Sequence, residues 1–390
     1  MKNLKAQYKL IIYLFIFLTT SNITLGKTLD KFSDASDVSN YFSGVLSIND
    51  NQYQKSYSYL KSLNNLEDSH YIYSQYYQYS LVALGKFKDA AKYSQKLKDK
   101  KLDNFQSNLI SAVYFLENKD FKNASFYLKK LEDKNQPGTI QNLLSTSLNA
   151  WINFRNISNL SPALSLLDAI PERFKEIKKI QKTFAHCYFD SQDVDKIFKQ
   201  LTSNRDISYS RYHFFHANYL ISKNKVKATK EVIKSALDQF PRNLILNQLK
   251  LDLKTKQTFN NEFDCKNPAD VIAEIFYVAS SALASQNNYI ASNFYLNLAK
   301  HLNPNFVSYN TLHANNLYFN QEYVKAKNIY IEIKKKGAAY NWHASKQIAS
   351  IFIKQNKKKK ATNSLKKSFK KIVDATTYEI FDYAEFLKNN

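Results

Sequence analysis

The chain has 390 residues, 44% apolar and 23% charged, a balance that supports a folded core and excludes wholesale disorder. Its 5 glycines lie no closer than 18 residues apart, which excludes G-x-G-x-x-G and Walker-type phosphate loops, and only 6 prolines join them as turn-formers, too few for an all-β fold. The net charge of +23 is almost all lysine, with arginine only at 155, 173, 205, 211 and 242; base recognition leans on arginine, so no specific nucleic-acid partner is expected.

Lys2, Lys5 and Lys9 precede nine uninterrupted apolar residues, Leu10 to Leu18, and then a polar stretch ending in Thr24-Leu25-Gly26. A basic start, a short apolar run and small residues before the cut form the layout of an export signal, with cleavage expected before Lys27. Nine residues cannot cross a bilayer, which needs about 20. The expected location is periplasmic, with an uncleaved anchor as the alternative. Residues 27–36 read as a linker.

Beyond the linker the chain repeats. Tyr53, Phe87 and Phe121 step by 34, each followed three residues later by Ser56, Ala90 or Ala124, and preceded by nine residues by Gly44, Gln78 or Ala112. Farther on, Tyr289 and Tyr323 show the same step, with Ser292 and Ala326 after them and Ser280 and Ala314 before them. Polar turns such as Asn49-Asp50-Asn51 and Gln286-Asn287-Asn288 separate the two halves of each unit. Each unit therefore reads as two helices joined by a short turn, with small residues where they cross closely. Pro241 and Pro304 fall just past the second helix, where a residue without an N–H ends a helix cheaply.

This pattern resembles the tetratricopeptide repeat. Gly44, Ala112, Ala217, Ser280 and Ala314 match its small position 8. Phe87, Phe121, Tyr289 and Tyr323 match the aromatic near 17, and Ala90, Ala124, Thr229 and Ala326 the small residue at 20. Ala236 and Ala299 match position 27; Pro241 and Pro304 match position 32. Gln78 departs from the pattern. The resemblance implies an all-α, right-handed superhelical solenoid acting as a protein-binding scaffold. The layout, a degenerate array over 37–256, a linker over 257–271 and a cleaner block over 272–374, is similar to that of a family of exported alphaproteobacterial tetratricopeptide proteins of undefined role. Around Trp151–Pro171 the turn Asn156–Ser161 is lengthened, and Leu244–Lys256 reads as a single helix. Residues 375–390 read as a capping helix that lays Ile380, Phe381, Ala384 and Leu387 on the last apolar face of the stack. Cys187 and Cys265 lie more than two repeat lengths apart, and in a solenoid only neighbouring repeats touch, so both are expected to be structural and unbridged.

Motifs for chemistry are missing. His213 and His216 share a helical face, and His186-Cys187 lies about one repeat earlier, but no carboxylate accompanies them at ligand spacing, so packed histidines are expected and no metal. Asp193 and Asp195 read as turn and cap residues. With no nucleophile elbow, H-E-x-x-H or C-x-x-C, and an open surface that admits water, neither catalysis nor a cofactor is expected.

Two binding surfaces remain. In tetratricopeptide proteins, phases 2, 5, 9 and 12 of the first helix line the groove; here they are Glu274, Tyr277 and Ser281, then Thr311, Asn315 and Tyr318, then Trp342, Ser345 and Phe352. Tyr277, Asn315, Tyr318 and Trp342 are the expected contacts for an unidentified protein or peptide, unless these aromatics serve as core. Thr311 stands where the family's carboxylate clamp needs lysine. The second surface is Lys357, Lys358, Lys359, Lys360, Lys366, Lys367, Lys370 and Lys371, with no acid over 354–371. It reads either as a site for an anionic membrane or envelope polymer, or as a solvated helix face.

Overall fold

The computed structural model describes residues 34–63, 66–132, 139–203, 210–255 and 262–390. The export signal expected over 1–26 lies outside them. Among the described residues there are twenty α-helices and no strand. Six helix pairs make the first block: α1 (Ala35–Asn49) with α2 (Tyr53–Lys61), α3 (Tyr71–Ala83) with α4 (Phe87–Asp99), and α5 (Phe105–Glu117) with α6 (Phe121–Glu132). Then follow α7 (Ile140–Asn153) with α8 (Leu160–Asp168), α9 (Lys175–Tyr188) with α10 (Val194–Thr202), and α11 (Ser210–Ser222) with α12 (Val226–Gln239). The single helix α13 (Leu244–Thr255) leads to a second block of three pairs: α14 (Pro268–Ser285) with α15 (Tyr289–Leu302), α16 (Val307–Phe319) with α17 (Tyr323–Ile333), and α18 (Ala338–Lys354) with α19 (Lys358–Phe369). The last helix is α20 (Thr377–Asn389). The fold is a tetratricopeptide-like solenoid of packed helix pairs.

The hairpins follow from local backbone chemistry. Eight first helices end two residues before a left-handed residue: Asn51, Gly85, Lys119, Asp190, Asn224, Asn287, Gln321 and Asn356, with φ between 52° and 69°. The next amide then reaches back to a free carbonyl of the last turn, as in Lys86 N to Leu81 O (2.9 Å), Asn288 N to Leu283 O (3.0 Å) and Glu322 N to Leu317 O (2.8 Å). This is the Schellman closure, which favours glycine and asparagine because only they enter the left-handed region cheaply. The small residues sit at the crossings as expected. A Cβ on Gly44 would meet Leu60 at 2.6 Å, and Ala90, Ala124, Thr229, Ala299 and Ala326 are wholly buried. Gln78 is buried too, and its amide donates to Ser94 Oγ at 2.9 Å. Between α7 and α8 a 3₁₀ turn, Phe154–Asn156, accounts for the lengthened connection.

The two blocks do not follow one another like beads. Helix α15 packs on α3 and α5, α14 packs on α7, and α13 packs on α18. Tyr79 meets the edge of Phe294, Phe87 stacks on His301, and Lys325 Nζ donates to Asp50 O at 2.8 Å. The first block thus wraps the second, which fills its concave side. Helix α5 shows the result: Ser107, Asn108, Leu109, Ile110, Ser111, Ala112 and Val113 are all buried, as befits a helix covered on every side.

Two expectations are corrected here. Cys187 and Cys265 are joined in a disulfide, with Cα atoms 6.0 Å apart. The stretch ahead of α14 does not continue the array; it folds back so that Phe263 is buried between Phe184 and Phe215, and Asn218 donates to its carbonyl. The nearest-neighbour rule for solenoids fails where a connection returns to an earlier repeat. The last helix also docks by another side. Tyr383 stacks on Phe369 at 4.3 Å and Asp382 pairs with Arg242 (2.7 Å) and Lys346, so the stripe of Ile380, Phe381, Ala384 and Leu387 faces solvent.

Candidate functional site

Where the blocks meet, a cleft of about 230 Å³ opens between α11, the start of α13, α14 and α16. Arg211, Asn243, Tyr277, Ser308, Thr311 and Asn315 supply its polar lining, with Leu244, Ile245 and Leu312 between them. The two asparagines are held from behind. Asn243 accepts from Leu246 N at 3.1 Å, capping α13. Asn315 accepts from the Tyr330 hydroxyl at 2.5 Å, which orients its amide.

Arg211 is the centre of the floor. Its Nε and Nη2 donate to the two carboxylate oxygens of Glu274, both at 2.7 Å. Its guanidinium lies 3.9 Å from the Tyr277 ring centre and 4.6 Å from that of Phe306. Glu274 is completely buried. Burial opposes the Arg211 charge, but Glu274 beside it wins and holds the guanidinium protonated above its ordinary range. The bidentate pair leaves the cleft floor polar with its charge compensated.

Of the groove residues read from the sequence, Tyr277, Thr311 and Asn315 come together in this cleft, and Glu274 lies beneath it. Ser281 is exposed elsewhere on α14. Tyr318 is half-buried and packs on Phe319 and Tyr323. Trp342 is only 5% exposed and rests on Phe369; Ser345 and Phe352 are also buried, so these three are core. Sequence reasoning missed Arg211, Asn243 and Ser308, which come from outside the second block or from its unassigned phases. The rarity of arginine was the available signal. In a lysine-rich chain, a retained arginine marks a place where planar, bidentate pairing matters.

The other candidates resolve into packing. His216 is buried, and its Nε2 lies 2.7 Å from Asp195 Oδ1; burial pushes its imidazole down despite that carboxylate. His213 is pushed down to about 4 by burial and then by His216. His186 meets Ser191 Oγ at 2.8 Å. Among the described residues no three His, Cys, Asp or Glu side chains gather in a way that could hold a metal ion. The lysines of α19 and its flanks, 357–360, 366, 367, 370 and 371, are all exposed. No described helix is long and apolar enough to cross a membrane.

Solved structures similar to this chain are helical-repeat proteins. Yeast Tom70 is 12% identical, covering 90% of this chain and 94% of its own, with a TM-score of 0.25. The TPR domain of P58(IPK) is 12% identical over 91% and 98%, with a TM-score of 0.25. A Naa15/Naa10 complex bound to HypK-THB is 15% identical over 94% of this chain and 59% of the matched one, with a TM-score of 0.34. At such scores no site or partner follows from the likeness. No family model matches the sequence, and no curated protein matches it.

Proposed function

We propose that this chain is an exported, non-catalytic scaffold that holds an extended segment of a partner protein in the cleft between α11, α13, α14 and α16. The observation that carries the reading is the cleft's lining: amides and hydroxyls of Asn243, Ser308, Thr311 and Asn315 around a guanidinium whose charge Glu274 already balances. Such a surface suits peptide groups and neutral polar side chains, which trade hydrogen bonds with amides. A terminal carboxylate would need an uncompensated cation. Tyr277 adds a stiff apolar wall. The Cys187–Cys265 bridge supports export, because disulfides persist in oxidising compartments. The wider resemblance to exported alphaproteobacterial repeat proteins points the same way.

Thr311→Trp fills the cleft from a half-exposed position. Crosslinking in intact cells should recover a partner with the native chain and lose it with this variant, at an unchanged melting temperature. Undiminished capture would end the cleft reading. Amino-terminal sequencing of the envelope-derived protein should start at Lys27; a start at Met1 in a cytosolic fraction would end the export reading.

A further inference from the structure

The far end of the molecule combines two features that the cleft does not use. Residues 354–390 carry ten lysines against four acids. Lys359, Lys366, Lys367 and Lys370 stand on the outer side of α19, whose inner side buries Ala361, Leu365 and Ser368. The acids are mostly occupied: Asp382 pairs with Arg242 and Lys346, and Glu379 accepts from Thr376 N and Oγ1 at 2.8 and 2.9 Å. Asp374 and Glu385 remain exposed.

Beside this basic helix the chain turns apolar side chains outward. Val373, two residues after Lys371, is 86% exposed; Phe381 and Ile380 are 57% and 51% exposed, and Leu387 44%. These side chains have not merely failed to dock. Tyr383 and Phe386 on another side of α20 already pack against the body, so the helix is fixed with its second apolar stripe outward, where the Arg242 guanidinium flanks Phe381 at 5.7 Å from its ring centre.

We propose that α19, Val373 and the outer stripe of α20 form a docking face for an anionic lipid bilayer. Lysines supply the long-range attraction, and Val373, Ile380, Phe381 and Leu387 enter the boundary between headgroups and acyl chains. Neither signal holds a protein on a membrane well alone; two together do. A second copy of the chain does not fit this face, because pairing it with itself would bring two lysine rows together. Lys359, Lys360 and Lys367 border a shallow, open recess with Asn363 and Ser364. Its lining is exposed or half-exposed throughout, unlike the enclosed, converging donors of a discrete phosphate site, and suits the headgroup surface of a bilayer. This face acts independently of whatever the cleft binds.

Vesicle flotation tests it with the chain from Lys27 onward, which keeps every described residue and removes the apolar leader that would itself seek lipid. Binding is expected to phosphatidylcholine vesicles containing phosphatidylglycerol and not to phosphatidylcholine alone, weakening as salt rises. Replacing Lys359, Lys366, Lys367 and Lys370 by Gln should weaken it by about 600-fold, at roughly five-fold for each of the four lysines. The pair Ile380→Ser and Phe381→Ser, both more than half exposed, should weaken it about ten-fold while Asp382 keeps α20 docked through Arg242 and Lys346. Circular dichroism of each variant should match the parent. Failure to float with anionic vesicles, or equal binding to neutral ones, overturns the proposal. So does salt-sensitive vesicle binding untouched by the Ile380 and Phe381 changes, an outcome in which lysines alone meet the headgroups and the apolar stripe is no part of the face.

Discussion

The concave faces of the two blocks are built from the same helix of the same repeat and end in opposite states. In the first block, α3 and α5 turn that face toward α15, and Tyr79 meets Phe294 there. In the second block, Tyr277, Thr311 and Asn315 still line an open cleft. Repeat phase decides which side of a helix looks inward. It does not decide whether another part of the chain has already arrived. A groove is therefore a property of the superhelix as a whole, and the first block has spent its groove on holding the second.

The sharpest way to break that contrast is to cut the ties between the blocks. Arg211→Met leaves Glu274 buried without its partner and should cost about 3–5 kcal/mol, measured by urea denaturation. Adding Glu274→Leu should recover most of that loss, since an apolar pair replaces an ionic one; no recovery would mean that Arg211 acts through its stacking on Tyr277 and Phe306. Next in size is the bridge. Cys187→Ser with Cys265→Ser opens a loop of sequence separation 78 and should cost about 2–4 kcal/mol. Reductant should lower the parent's stability to the variant's level and leave the variant unmoved.

Smaller changes test what the blocks share. Ala90→Trp in the first block and Ala326→Trp in the second overfill equivalent crossings, and each should destabilise by about 1–3 kcal/mol. Markedly unequal losses would show that the crossings differ despite their matching phase. The smallest effect is a gain. Lys119 holds φ 60° where Gly85 holds 69° one unit earlier, so Lys119→Gly should stabilise by about 0.5–1 kcal/mol in thermal melts.

Periodicity made the helix pairs, their crossings and the extra helix α13 legible, because these depend on neighbours about one unit away. The left-handed residues recur at the same step, yet they are Asn, Gly, Lys, Asp and Gln, and a pattern carried by backbone conformation leaves little trace in residue type. Contacts that skip many units were illegible. Nothing local announces that Cys265 returns to Cys187, or that Arg211 meets Glu274 across 63 residues. The cleft was half visible for the same reason: Tyr277, Thr311 and Asn315 follow the repeat, while Arg211 and Asn243 arrive from the other block. For α20 the sequence offers two apolar stripes, and the ion pairs of Asp382 with Arg242 and Lys346 select which one docks.

The wrapping of one block around the other has a consequence for how the chain comes into being. An ordinary repeat array can fold as it emerges, each unit settling on the one before it. Here Asn293 bonds to Asn51 across 242 residues, and the inner sides of α3 and α5 are covered by α15. Those apolar surfaces stay wet until residue 302 has appeared, a delay in which wrong associations compete and a holding chaperone has something to hold. Once α15 is seated, the first units gain a partner far along the chain, so fraying at α1 and α2 has to break contacts with the second block as well as with their own neighbours.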